Sequence, residues 1–539
     1  MITNKHITKI IFALMGIAVA LCFLAVIFSD KLVEKAGGTG VQVEYESELF
    51  DTSEVISIDI QMDEDTWNEM LDNAMTEEYY TCDVVINGEK LYNVAIRPKG
   101  NTSLSAIAMD PDTDRFSLKL EFGHFVEGQT CYGLDKLILN NNYADATNMK
   151  EAIIYDMYQY LGADASLYNY ATVSLNGEYK GVYLALEAVE QSFMLRNYGT
   201  QDGEIYKPES MGMGGGDKSD SKDQPGGGFP GGDFPGGDFD FSNMPTPPDM
   251  GDFNPGDMPD MGNFNPGDMG GPGKGGFSMG GNGGANLNYI DDDLDSYSTI
   301  WDGAITSSGK KDHKRVVTAL KNISEGNNIE EYMDVDNLLK YMAVHTFAVN
   351  EDSLSGSMAH NYYLYEYDGK LNIIPWDYNL SLGGMAMGSS GDATDLVNDA
   401  IDTPFSGTEF FDVLLENDEY RAKYHEYLNQ LVEEYVYGGR FDEVYNRIRS
   451  QIDSLVETDP TAFYTYDEYT KAADILYETI KLRGESIRGQ LNGTIPSTDD
   501  GQRADSSSLI DASHINVKDM GQFSMGGFND RDFKKKKSP

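Results

Sequence analysis

Cysteine and histidine are both scarce in this sequence. Its 539 residues include three cysteines, one of which, Cys22, lies inside an apolar stretch. A disulfide framework is therefore excluded, and Cys82 and Cys131 either pair outside the cell or stay as reduced, buried thiols. No catalytic motif surrounds these two thiols. The seven histidines are scattered without a ligand-like pair, which argues against a histidine-based metal site.

Positive charge is also in short supply. The chain has 40 lysines and arginines against 89 aspartates and glutamates, which gives a net charge of −49. A surface of this charge repels nucleic acid and anionic lipid headgroups beyond any local patch. We therefore expect no nucleic-acid partner, and expect cations, metal–nucleotide complexes or basic proteins instead.

One long hydrophobic run occurs, close to the N-terminus. Residues 10–28 carry no charge, and at about 1.5 Å per residue they nearly cross a hydrocarbon core of roughly 30 Å. A cleaved signal peptide is the competing interpretation, because Ala18-Val19-Ala20 resembles a cleavage site. The apolar run continues beyond that point, which favours an uncleaved anchor. We predict a single-pass protein of the cell membrane whose main domain is extracytoplasmic, at the cell surface.

Composition divides the chain into seven segments. We predict a cytoplasmic N-terminus (1–9), the transmembrane anchor (10–28), a stalk (29–48), a first folded part (49–210), a low-complexity insertion rich in Gly, Pro, Asp and Met (211–286), a second folded part (287–491) and a disordered tail with a basic end (492–539). The insertion cannot form a core. We interpret it as a flexible loop, because the spacing of a defined calcium loop is missing from it.

The two folded parts differ in their periodicity. Strand-like runs flank Asn87-Gly88 and again Asn176-Gly177, a pattern typical of β-hairpins. Helical spacing dominates residues 311–320, 335–349 and 411–491. We therefore predict an α+β protein with an antiparallel-strand N-terminal part and a mainly helical C-terminal part.

Three oxygen-bearing side chains in the second part are candidates for chemistry. Asp352 ends a helix-like run, Asn361 begins a strand-like run, and Asp377 follows the next strand-like run. A hairpin brings them to one end, as phosphoryl transfer requires: one carboxylate orients the attacking hydroxyl, and an amide and a second carboxylate hold magnesium. In so acidic a chain each aspartate can also be a plain surface acid. Paired carboxylates serve glycoside hydrolysis too, but that scheme leaves the basic segment 97–103 unexplained.

Nucleotide binding needs a different explanation, because the ordinary Gly-rich loop of kinases is missing from this sequence. Segment 97–103 turns after a strand and offers backbone N–H groups and cations to phosphates, although an ordinary polar turn explains it as well. The lysine for the α and β phosphates is either Lys119 or Lys99. The candidate nucleotide-binding residues are Lys119, Lys99, Arg97, Asn101, Ser103 and Glu151, the last in a helical first turn from which it can reach the lysine.

Four segments in order resemble the spore coat protein H (CotH) kinase-like family. They are RPKGNTS at 97–103, NGEYKGVY at 176–183, HNYYLY at 360–365 and PWDYN at 375–379. The resemblance implies a divergent two-lobed protein kinase-like fold over roughly residues 45–490. It also implies transfer of the ATP γ-phosphate, with Mg²⁺ or Mn²⁺, to Ser or Thr of surface or spore coat proteins.

The same resemblance implies roles for the three candidates. Asp352 matches the catalytic aspartate, Asp377 the metal-binding aspartate, and Asn361 a second metal ligand. Asn361 lies nine positions after Asp352, a longer spacing than in the ordinary kinase catalytic loop. The alternative is a catalytically inactive kinase-like scaffold for coat or cell-surface assembly, because a fold does not establish a function.

Overall fold

The computed structural model describes residues 41–209, 283–355, 359–385, 392–403, 405 and 408–523. The predicted anchor at 10–28 lies outside these ranges, as does the predicted insertion up to residue 282. None of the helices within these ranges is both long enough and apolar enough to cross a membrane.

The described strands form two sheets. The strands are β1 Ile56–Gln61, β2 Tyr80–Ile86, β3 Glu89–Lys99, β4 Ser117–Glu121, β5 Lys136–Asn140, β6 Tyr168–Leu175, β7 Glu178–Glu187, β8 Glu204–Tyr206, β9 Tyr362–Tyr367 and β10 Lys370–Pro375. Seven of them close into a barrel in the order β1-β2-β3-β4-β5-β7-β6, and the other three form an antiparallel sheet in the order β10-β9-β8.

Three hairpins share one turn chemistry. Asn87-Gly88, Asn176-Gly177 and Asp368-Gly369 each have positive φ at both residues, as in the type I′ turn, whose twist matches that of the flanking strands. The first two are the predicted hairpins, and the pairing of β2 with β3 and of β6 with β7 confirms them.

Helices dominate the chain after β8. The α-helices are α1 Glu44–Glu48, α2 Glu64–Asp72, α3 Thr102–Ala108, α4 Lys150–Leu161, α5 Gln191–Tyr198, α6 Ser298–Asp302, α7 Lys310–Ser324, α8 Ile329–Tyr332, α9 Val335–Ala348, α10 Ala393–Asn398, α11 Asp412–Glu416, α12 Asp418–Gln430, α13 Arg440–Glu457, α14 Tyr466–Leu491 and α15 Asp499–Ala504. A π-helical segment, Leu431–Val436, links α12 to the loop before α13. The predicted helical patterns at 311–320, 335–349 and 411–491 are confirmed by α7, α9 and α11 to α14.

The barrel separates two hydrophobic cores. Alternate side chains such as Ile96 and Leu118 fill its interior, while Ile138 and Leu186 on its outer face belong to the core built around α4 and α9. Because successive side chains on a strand point to opposite faces, the residues next to the interior ones point outward. Strands β3 and β4 therefore present polar side chains towards the helical part of the protein.

The prediction of a divergent two-lobed protein kinase-like fold is wrong. Parallel pairing of β1 with β6, Ile56 to Ile60 against Ala171 to Leu175, closes the N-terminal strands into a barrel. In the second sheet, β8 from before the insertion pairs with β9 from after it, so the expected boundary between the folded parts is not a boundary between lobes. Both pairings join segments distant in sequence, which local periodicity cannot reveal.

Residues 493–523 include regular structure, whereas their composition predicted a disordered tail. Helix α15 and a 3₁₀ turn at Val517–Met520 lie in this region, and Ala512 and Met520 are buried. The Phe523 N–H donates to the Gly384 carbonyl at 2.8 Å. A few apolar side chains are enough to dock a segment that is otherwise rich in Gly, Ser and Asp. The basic end at 534–537 lies outside the described residues.

Candidate functional site

Asp377 lies two residues after the end of β10 and is the centre of the site. Its φ of 61° lies in the left-handed region, which is uncommon for a residue other than glycine. Burial raises the pKa of Asp377, the ammonium of Lys99 lowers it, and the charge of Asp352 raises it again. The net shift is upward, with burial as the largest cause, so the site favours the protonated form of Asp377 more than water does.

Asp352 follows α9 and is held by two neighbours. His360 Nε2 lies 2.7 Å from Asp352 Oδ1. Asn361 Nδ2 donates to the Asp352 carbonyl at 2.7 Å and to its Oδ2 at 3.1 Å. Burial alone lowers the pKa of His360, but the hydrogen bond and charge of Asp352 outweigh it and raise that pKa. The imidazole of His360 and the amide of Asn361 therefore fix the orientation of the Asp352 side chain.

Glu151 brings a third carboxylate from the first turn of α4. Its side chain is buried, with Oε2 accepting from Asn140 Nδ2 at 2.8 Å and Oε1 from the Tyr378 N–H at 3.4 Å. Burial raises the pKa of Glu151, and the charge of Asp377 raises it further, against an opposing effect of Lys99. We refer to Glu151, Asp352 and Asp377 as the carboxylate cluster.

Two lysines stand beside the carboxylate cluster. Lys99, at the end of β3, has its Nζ 5.6 Å from the centre of the Trp376 ring. Lys207, just after β8, has its Nζ 6.0 Å from the centre of the Tyr363 ring and 2.9 Å from Glu209 Oε1. The charges of both lysines lower the pKa of Asp377. Lys207 is therefore shared between Glu209 and the carboxylate cluster.

The oxygen atoms of the cluster suit a hard cation that arrives with its own ligands. Within the described ranges no three His, Cys, Asp or Glu side chains form a preassembled metal centre. Magnesium, however, is usually held by one or two carboxylates together with substrate phosphates and water. Asp377 and the Oδ1 of Asn361 fit such a role, because Asn361 directs its Nδ2 towards Asp352 and leaves its carbonyl oxygen as an acceptor.

A second group of charges lies on the same outer face of the barrel. Lys119 Nζ is 3.5 Å from Glu190 Oε1, and Lys136 Nζ is 2.8 Å from Glu190 Oε2 and 3.3 Å from Glu121 Oε2. Arg97, the cross-strand neighbour of Lys119, pairs with Glu77. We refer to these residues as the ion-pair cluster: Arg97, Lys119, Lys136, Glu77, Glu121 and Glu190. A fourth acid, Asp135, lies at its edge, because the charges of Glu190 and Lys136 affect the pKa of Asp135.

Comparison with known families agrees with the motifs. A sequence model of the family described as CotH kinase protein matches residues 96–229 and 279–487, more than half of the chain. The chain belongs to the CotH family. A curated relative, inner spore coat protein H of Bacillus subtilis (strain 168), is 22% identical over 379 residues, which cover 68% of this chain and 82% of the relative. The resemblance inferred from the four segments is confirmed.

The structure of this CotH protein brings most of the predicted site residues together. Lys99, Glu151, Asp352, Asn361 and Asp377 form one group. Their roles in catalysis and metal binding stay predictions. Between the two candidate lysines, Lys99 is the one whose charge reaches Glu151 and Asp377.

Other predicted nucleotide-binding residues lie elsewhere. Arg97 and Lys119 belong to the ion-pair cluster, with carboxylate partners of their own. Asn101 is at the N-cap of α3, where its side chain makes no capping hydrogen bond, and Ser103 is in the first turn of that helix. Both follow Lys99 closely in the chain, so their part in nucleotide binding also stays a prediction.

Sequence reasoning missed two residues of this site. His360 stands beside Asn361 in the HNYYLY segment, and that adjacency was the available signal. Lys207 gave no local signal, because only the pairing of β8 with β9 brings it beside the carboxylate cluster. It also lies four residues before the start of the predicted insertion, whose biased composition gives no indication of a single functional residue.

Proposed function

We propose that this CotH protein is a protein kinase that transfers the ATP γ-phosphate to Ser or Thr of a spore coat or cell-surface protein. The observation that carries the proposal is the carboxylate cluster, in which three acids lie together beside Lys99, and burial and mutual repulsion raise the pKa values of Glu151 and Asp377. Perturbed, crowded carboxylates in one place are a mark of functional sites. The description of the family as CotH kinase protein, and the name of the spore coat relative, support the same reading.

Each residue of the site has a role in this proposal. Asp377 and Asn361 would hold Mg²⁺ or Mn²⁺, which when bound offsets charge on the transferred phosphate. Asp352 orients the acceptor hydroxyl and accepts its hydrogen bond, while His360 keeps Asp352 turned towards the substrate. Lys99 contacts the nucleotide phosphates and Lys207 adds a second positive charge.

The acceptor is a protein of the coat or surface, reached by a chain anchored in the membrane through residues 10–28. The strongly acidic composition favours a basic acceptor segment and excludes nucleic acid. A main domain on the extracytoplasmic side is part of the same proposal, supported by the coat location in the name of the relative.

The second candidate function is a catalytically inactive scaffold for coat or cell-surface assembly. One observation favours it: the ordinary Gly-rich loop of kinases is missing from the sequence. Against it stands the concentration of carboxylates, for which a scaffold has no chemical need.

Transfer of labelled γ-phosphate tests the proposal. The full chain, solubilised in detergent, is incubated with labelled ATP and Mg²⁺ or Mn²⁺, alone and with a generic basic protein. We compare it with Asp352→Asn, Asp377→Asn and the matched control Asp500→Asn, whose side chain is almost fully exposed. We expect incorporation by the wild type and the control and its loss in both site variants. Wild-type incorporation no higher than that of the site variants would instead favour the scaffold.

A further inference from the structure

A buried histidine joins the two segments that carry the site aspartates. His345, near the end of α9, has its Nε2 2.6 Å from Ser355 Oγ and 3.3 Å from Ser353 Oγ. Its Nδ1 lies 3.0 Å from the Tyr378 hydroxyl. Ser353 is the residue after Asp352, and Tyr378 is the residue after Asp377. One imidazole therefore bridges both segments.

The orientation of this imidazole is set by its surroundings. The ring stacks against Tyr341, with centroids 5.4 Å apart, and against Phe405, at 5.3 Å. Burial lowers the pKa of His345 to about 3, so the ring is neutral near pH 7. A neutral imidazole has one donor and one acceptor nitrogen, and both have hydroxyl partners here.

On the Asp352 side, the serine hydroxyls hold a tight turn. Ser353 Oγ donates to the Asn350 carbonyl at 2.7 Å, and the Ser355 N–H donates to Ser353 Oγ at 3.3 Å. The Asp352 N–H donates to the side chain of Asn350 at 3.3 Å. The turn from which Asp352 projects is thus held from within, and His345 ties it to the rest of the protein.

On the Asp377 side, Tyr378 is the anchor. Its hydroxyl lies 2.6 Å from that of Tyr158 on α4 as well as close to His345. Asp377 has the left-handed backbone noted above, and such a conformation persists only where neighbours hold it. The two hydroxyl contacts of Tyr378 provide that restraint directly after Asp377.

We propose that His345 is a positioning residue that sets the separation of the Asp352 and Asp377 side chains by tying Ser353 and Ser355 to Tyr378. For its catalytic consequence this inference rests on the proposed phosphoryl transfer. A displacement of about 1 Å between reacting groups can cost on the order of 100-fold in rate. Without the bridge the two segments move independently, and the nucleotide and hydroxyl are held but poorly aligned.

Two variants remove the bridge with little change in volume. Tyr378→Phe deletes only the hydroxyl, and His345→Phe keeps an aromatic ring between Tyr341 and Phe405 but loses both hydrogen bonds. The matched control is Tyr469→Phe, a buried tyrosine whose hydroxyl donates to Asp453 at 2.6 Å in the helical part. Should His345→Phe fail to fold, Tyr378→Phe carries the test alone.

The first readout separates kcat from KM for ATP in the full chain. We expect both bridge variants to lower kcat on the order of tenfold or more while KM changes little, because alignment rather than binding is lost. The control is expected to lower the melting temperature without changing kcat. Bridge variants with lower melting temperatures and unchanged kcat would overturn the proposal and leave His345 a purely structural residue.

The second readout is hydrogen exchange in peptides that cover 350–355 and 376–382. We expect Tyr378→Phe to increase exchange in both peptides together, and the control to change neither. Increased exchange confined to the second peptide would overturn the bridge. This readout needs no activity: if the wild type transfers no phosphate, the proposed function fails, and the exchange result still decides whether His345 couples the two segments.

Discussion

The ion-pair cluster on the outer face of the barrel and the carboxylate cluster beside Lys99 differ in how their charges are paired. In the ion-pair cluster, Lys119 and Lys136 share Glu190, and Arg97 pairs with Glu77. In the carboxylate cluster, burial and mutual repulsion raise the pKa values of Glu151 and Asp377 although Lys99, Lys207 and His360 lie nearby. Breaking a balanced buried pair is strongly unfavourable, whereas an unbalanced group is relieved when a counter-charge binds. The first arrangement suits stability and the second suits ligand binding.

The difference also shows how little chain separates a structural charge from a functional one. Arg97 and Lys99 lie two residues apart on the same face of β3. Arg97 pairs with Glu77, while Lys99 reaches Trp376 and the charge of Asp377. What separates their roles is the partner that the rest of the fold supplies.

Substitution of Asp377 is the strongest test of the difference between the two clusters. We expect Asp377→Asn to reduce phosphoryl transfer on the order of 10²- to 10³-fold. The melting temperature should stay the same or rise, because one of three crowded carboxylates is neutralised. Labelled phosphate incorporation and scanning calorimetry measure the two effects. Retained activity with a lower melting temperature would place Asp377 among the structural charges.

Substitution of one lysine at a time compares the two clusters more finely. Lys99→Met should lower kcat/KM for ATP by about 100-fold, since the cation beside Asp377 is lost. Lys119→Met should leave kcat/KM nearly unchanged, because Lys119 pairs with Glu190. Initial rates over a range of ATP concentrations measure both. A larger loss in Lys119→Met would reverse the assignment of the two lysines.

Loss of Glu190 tests the ion-pair cluster itself. Glu190→Gln should lower the free energy of unfolding by about 3 kcal/mol, because Lys119 and Lys136 lose a shared, largely buried partner. The control Glu178→Gln, in the exposed pair with Lys180, should lower it by less than about 1 kcal/mol. Urea unfolding gives both values. Equal small losses would show that the ion-pair cluster contributes little to stability.

The smallest expected effect is one of pH on the edge of the ion-pair cluster. Burial raises the pKa of Asp135 to about 6, and the charge of Glu190 adds to this shift. The folded state therefore binds a proton more tightly than the unfolded state, and the stabilisation is complete below about pH 4 and lost as the pH rises through about 6.

Asp135→Asn removes this dependence. Relative to the wild type, its free energy of unfolding should rise by about 2 kcal/mol between pH 4 and pH 7. Urea unfolding at several pH values measures the difference between the two proteins. A difference in the free energy of unfolding that stays constant with pH would show that the pKa of Asp135 is not raised in the folded protein.

Local sequence patterns predicted many of the strands and helices and part of the candidate site. Two Asn-Gly turns predicted hairpins, and helical spacing predicted α7, α9 and the long helices after residue 411, because turn chemistry and periodicity depend on neighbouring residues. The positions of Asp352, Asn361 and Asp377 at the ends of such elements also followed. Four short segments were enough to indicate the CotH family, which the family comparison confirms.

Only the tertiary structure shows how the barrel closes. It also shows that Lys99 rather than Lys119 is the neighbour of Glu151, and that Lys207 and His345 lie at the site. Each depends on contacts between segments far apart in the chain, such as β1 with β6 and β8 with β9. The raised pKa values of Glu151 and Asp377 depend on burial, which arises only when those segments meet and exclude water. Composition and periodicity contain neither kind of information, so from the sequence the two clusters of charge look alike.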